Sequence, residues 1–85
     1  MYRAEQNAPF EKPVRFMRSG SLIGRVNSVN EAAYFMLHSW PNSGGEKYNV
    51  AREACRRALA KQCSAEDARQ AFIVALTEGG MEIVG

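Results

Sequence analysis

Glu31, Tyr34 and His38 stand at spacings of three and four in the stretch EAAYFMLHSW. On a helix they share one stripe, where a carboxylate could orient the imidazole while the phenol donates a proton. A stripe of that kind does chemistry only beside a nucleophile or a metal, and inside a pocket. The chain has a single histidine and contains no GxSxG, no HExxH and no glycine-rich phosphate loop ending in Lys-Ser/Thr. Amphipathic Tyr and His more often flank a core with their polar tips in water. The expectation is therefore a contact edge at Tyr34 and His38, with no catalytic residue; His38 is the residue to which any enzymatic reading would be tied.

The second group with chemical potential is basic. Arg52, Arg56, Arg57 and Lys61 fall on the polar arc of EKYNVAREACRRALAKQ, and Arg15 and Arg25 flank Met17 and Ile23 in an alternating stretch nearer the N-terminus. Clustered arginines suit phosphates or acidic partners. Against a nucleic-acid role stand Glu53, which interrupts the basic arc, and a net charge of only +2. The turn QCSAED also gives the next helix an acidic first turn, where a recognition helix would meet DNA. Nucleic-acid contact through Arg52, Arg56, Arg57 and Lys61 is accordingly the alternative reading. The leading expectation is a non-enzymatic module that contacts an unknown protein partner through Arg15, Met17, Ile23, Arg25, Tyr34 and His38. Arg56, beside an inward-facing Cys55, is the charged residue to test first, as either a helix-surface residue or a bridge to the end of the first helix or to a carboxylate.

Cys55 and Cys63 form no CxxC, and no second pair or nearby histidine completes a zinc set. No metal or cofactor is expected. Eight residues along a helix separate the two Cα atoms by roughly 12 Å, too far for a disulfide.

These side chains need elements to hold them. At 85 residues, 46% hydrophobic and 24% charged, the chain is one domain with one modest core and an expected radius of gyration of about 12 Å. No apolar leader opens MYRAEQNAPFEKP and no run of 18 apolar residues follows, so the expected location is the cytoplasm, away from membranes. Residues 1–12, polar and containing Pro9, read as a flexible arm ahead of a domain over residues 13–85.

PVRFMRSGSLIGRVNS alternates with period two around a turn. A three-residue loop over residues 19–21 pairs Val14 with Val26, Phe16 with Gly24 and Arg18 with Leu22. That register collects Val14, Phe16, Leu22 and Val26 on one face and Arg15, Met17, Ile23 and Arg25 on the other. Such a hairpin needs its apolar face covered.

Three Ser-x-x-acid signals then mark helix starts at Ser28, Ser43 and Ser64. They predict helices over residues 28–40, 46–62 and 65–78, the last closed by Gly79-Gly80 as a left-handed cap. The first should bury Val29, Ala32, Ala33, Met36, Leu37 and Trp40. The second should bury Tyr48, Ala51, Ala54, Cys55, Ala58 and Leu59, and the third Ala68, Ala71, Phe72, Ala75 and Leu76. Ile73 and Val74 point away from that last face, so either the tail or a second copy of the chain should cover them; monomer and weak homodimer both stay open. MEIV serves equally well as a third strand or as cover for apolar surface. The fold class is α+β: an N-terminal β-hairpin packed on three α-helices (ββααα), with a short C-terminal strand an open alternative.

SVNEAAYFMLHSWP followed by AREACRRALAKQCSAEDARQAFIVAL resembles a family of short bacterial proteins, seen mostly in rhizobia and related alphaproteobacteria, known only as a domain of unknown function. The resemblance covers residues 13–76 and is most specific at Ser28-Val29, Glu31-Ala32, Trp40-Pro41, Ala54-Cys55-Arg56 and Ala71-Phe72. It implies a compact α+β module and brings no activity, cofactor or binding residue with it.

Overall fold

Burial of one face of a hairpin against helices is the organising event. In the computed structural model, which describes residues 8–40 and 45–84, the order is β1 (Pro9–Arg18), β2 (Ser21–Ser28), α1 (Val29–His38), α2 (Glu46–Leu59), α3 (Ala65–Glu78) and β3 (Glu82–Val84). The three strands form an antiparallel sheet in the order β2-β1-β3. The architecture is α+β, ββααα, with the C-terminal residues adding the third strand. Val14, Phe16 and Val26 turn inward and are buried against Val29, Met36, Phe72 and Leu76. The radius of gyration is 12.0 Å.

The hairpin departs from the expected geometry at its tip. Arg18 pairs with Ser21 and Met17 with Leu22, whereas Phe16 pairs with Gly24, so Ile23 is an extra residue in β2 and forms a bulge. The turn is therefore two residues, Ser19 (φ 53°) and Gly20 (φ 80°), both in the left-handed region as a type I′ turn requires. The bulge reconciles a two-residue turn with the inward set of Val14, Phe16 and Val26. It also carries Leu22 beside Met17 and out into solvent at 63% exposure, correcting its expected place in the core.

β1 starts at Pro9, inside the stretch expected to be an arm, because Phe10 finds a place in the core. Arg69 of α3 fastens the same stretch, its Nε donating to the Lys12 carbonyl at 3.1 Å. The earlier part of the expected arm lies outside the described residues.

Each helix start uses an acid, but not always the nearest one. Ser28 Oγ accepts from Glu31 N–H at 3.1 Å, and Glu31 Oε1 accepts from the Asn27 N–H at 2.7 Å. Ser64 and Asp67 form a complete capping box. For α2 the N-cap is Gly45, with no side-chain cap of its own, and the expected cap Ser43 lies outside the described residues. The Glu78 carboxylate, arriving from the end of α3, instead accepts from the Lys47 N–H at 3.2 Å. A Cβ at Gly45 would stand 3.1 Å from Glu78 Oε1, so glycine suits a start capped from outside.

The last helix ends as expected at the double glycine. Gly80 has φ 88°, its N–H donates to Thr77 O and Met81 N–H donates to Leu76 O, which is a Schellman motif. Met81 then enters the core and β3 lies along β1, so the tail folds back over the molecule. Ile73 is half-buried against the core, while Val74 is exposed.

Candidate functional site

Among the described residues the sheet has helices on one side only, and the opposite side is where the hairpin's candidate residues come together. The pairings place Arg25, Arg15 and Val84 in one row across the three strands, with Leu22, Met17 and Glu82 in the next. Leu22 and Ile23 are well exposed at 63% and 45%, and Met17 is half-buried. Arg15 and Arg25 are direct cross-strand partners, an arrangement that destabilises a bare sheet. Among the described residues neither makes an ion pair. With Lys12, Pro13 and Val84 they line a shallow cleft with no acidic residue in its wall. The expected grouping of Arg15, Met17, Ile23 and Arg25 thus holds with one change: Ile23 sits in the bulge, and Leu22 joins the surface.

The Tyr34 and His38 rings lie against each other on the outside of α1, tilted by 41° with centroids 4.4 Å apart. Tyr34 is 66% exposed. Glu31, third member of the stripe, has its carboxylate on the Asn27 amide rather than on the imidazole. Beside this edge, between α1 and β2, runs a groove of about 370 Å³ lined by Gly24, Arg25, Asn27, Glu31, Tyr34 and Phe35.

Leu37, expected in the core, is exposed, and Phe35 turns inward in its place. Phe35 meets Phe16 at 5.0 Å and Trp40 at 5.7 Å edge-on, contacts that reward an aromatic side chain at this corner. Trp40 goes on to Tyr48 at 5.1 Å, and the Tyr48 hydroxyl donates to Met36 O at 2.7 Å. The aromatic cluster of the opening stretch is thus divided, with Phe35 and Trp40 inward and Tyr34 and His38 outward.

The arginines of α2 are engaged within their own helix. Arg56 donates to both carboxylate oxygens of Glu53, at 3.0 and 2.5 Å, and Arg57 donates to Oε2 at 3.1 Å. These bonds hold the Glu53 carboxyl near 2, against an ordinary value of 4.5, and raise the Arg56 guanidinium. Arg52 lies over the Tyr48 ring, 5.9 Å from its centroid. Lys61 does not extend the basic arc: α2 stops at Leu59, and Lys61 sits beyond the cap with φ 63°. Its N–H donates to Ala58 O and that of Gln62 to Arg57 O, closing the helix in a second Schellman motif.

Both cysteines are free. Burial pushes the Cys55 thiol up to about 11, and the Cys63 thiol donates to Ala54 O at 3.6 Å. Among the described residues no group of His, Cys, Asp or Glu is arranged to hold a metal, and no helix is long and apolar enough to cross a membrane.

No curated protein and no solved structure matches the chain. A family match covers residues 12–83, extending past the expected resemblance to take in Met81 and most of β3. The chain belongs to the family described as "Protein of unknown function (DUF982)".

Proposed function

We propose that this chain is a small cytoplasmic, non-catalytic module that works by holding a protein partner against the open face of its sheet. The observation that carries the reading is the exposure of Leu22 and Ile23 beside Arg15 and Arg25, on the side of the sheet away from the helices. Apolar side chains set among arginines suit a contact surface, where Arg and Met are enriched. Tyr34, whose ring lies against that of His38, lines the groove beside β2 together with Arg25.

The nucleic-acid alternative draws less support. Two of its four residues share one carboxylate, a third covers a tyrosine ring and the fourth closes a helix. Across the paired rows of the open face no aromatic side chain offers a base something to stack on.

The test is a pair of double variants and two kinds of ligand. Anisotropy titrations with labelled DNA and RNA, single-stranded and duplex, at about 50 and 200 mM salt should show no binding, whereas a phosphate-binding surface would weaken steeply between them. Met17→Asp with Ile23→Asp should abolish partner capture in cells, and Arg56→Glu with Arg57→Glu should spare it. The opposite pattern would transfer the site to α2.

A further inference from the structure

The sheet order leaves two edges of unequal length. β3 offers three residues, whereas β2 offers eight, and among the described residues no strand lies beside β2 on the side away from β1. An unpaired strand carries a row of backbone donors and acceptors that another strand can complete. Along residues 24–27 this edge borders the groove between β2 and α1, with Tyr34 and Phe35 on its far wall; the Asn27 N–H at its end already donates to Glu31 Oε1, so the edge open to pairing runs over residues 24–26. Gly24 keeps the floor low: a Cβ there would come within 3.1 Å of the Phe16 ring, which is fully buried.

A strand laid along that edge would send alternate side chains to opposite faces. One set would enter the groove against Tyr34 and Phe35. The other would emerge on the open face beside Arg25, which, like its cross-strand neighbour Arg15, makes no ion pair among the described residues, with Glu82 one row away. The first position asks for an apolar residue and the second for a carboxylate.

A second copy of this chain is a poor occupant. Pairing two β2 edges in one continuous sheet would bring the Arg15–Arg25 row of each copy towards the other, and the bulge at Ile23 disrupts flat pairing. We propose that the β2 edge receives an extended partner segment that alternates apolar and acidic residues, by strand addition along residues 24–26. This rests on the reading of the sheet as a protein-contact surface and specifies how that contact is made.

The probes are two fluorescein-labelled heptapeptides, alternating valine with glutamate or valine with lysine, titrated against the full chain carrying ¹⁵N. The glutamate peptide should shift the amides of residues 24–26 together with Tyr34 and Phe35, and the lysine peptide should bind about tenfold more weakly. Arg25→Glu, at an exposed position, should reverse that order. N-methylation of alternate peptide residues should abolish binding in one phase and spare it in the other, since only one set of amides faces β2. Equal affinity for the two peptides, shifts confined to α2, or β2 shifts that follow protein concentration without peptide would each overturn the proposal. If the peptides fail while Met17→Asp with Ile23→Asp still abolishes partner capture, strand addition alone is overturned. If that double variant captures normally, the underlying surface reading fails.

Discussion

At the residue scale, Glu53 decides how basic α2 is. With Arg56 and Arg57 on one carboxylate, two positive charges and one negative leave a single net charge at neutral pH. Because the folded pKa lies below the unfolded one, the stabilisation is complete above about 4.5 and is lost as pH falls towards 2. The effect on stability is small because all three side chains are about half exposed. An NMR titration should put the Glu53 midpoint near 2, and Arg56→Ala with Arg57→Ala should return it towards 4.5. Lys61 gives a prediction of the opposite kind. Its left-handed backbone favours glycine, so Lys61→Gly should stabilise the chain by about 0.5–1 kcal/mol in urea unfolding. Gly24→Ala should cost about 1 kcal/mol or more in the same measurement, because the Phe16 ring it would press is held by Phe35 and Phe72.

At the element scale, the sequence reads well wherever the determinant is local. Ser28 and Ser64 cap helices because their acid partners follow three residues later, and Gly80 ends α3 because the left-handed region favours glycine. Where the determinant is distant, the reading fails. The cap of α2 comes from Glu78, thirty-one residues away from the amide it accepts. Glu78→Ala should therefore destabilise α2 by about 1 kcal/mol, visible as faster hydrogen exchange in its first turn. The hairpin tip is an intermediate case. Ser19-Gly20 was legible as a turn, but the bulge at Ile23 depends on strand pairing, and an isolated glycine next to it was the only local sign. The consequence falls on the candidate site: Leu22 changes sides.

At the scale of the whole molecule, Phe16, Phe35, Trp40, Tyr48 and Phe72 join β1, all three helices and the end of α1 through ring contacts of 5.0–6.4 Å. Phe72 touches three of the other rings and is fully buried. Phe72→Ala should cost about 3–5 kcal/mol, enough to unfold much of a domain this small at 25 °C, as a thermal melt would show. Periodicity found Phe16 and Phe72 but not Phe35, because at about 100° per residue Phe35 falls at the border of the apolar arc and its neighbours decide its direction. Among the described residues the same packing leaves one face of the sheet uncovered, and on that face the account rests. The direct measurement is photo-crosslinking in cells from a benzophenone amino acid placed at residue 17 or 23, compared with residue 56 or 57. Discrete protein adducts from 17 and 23, absent from 56 and 57, are the result the account predicts. Adducts to nucleic acid, or adducts arising only from 56 and 57, would contradict it.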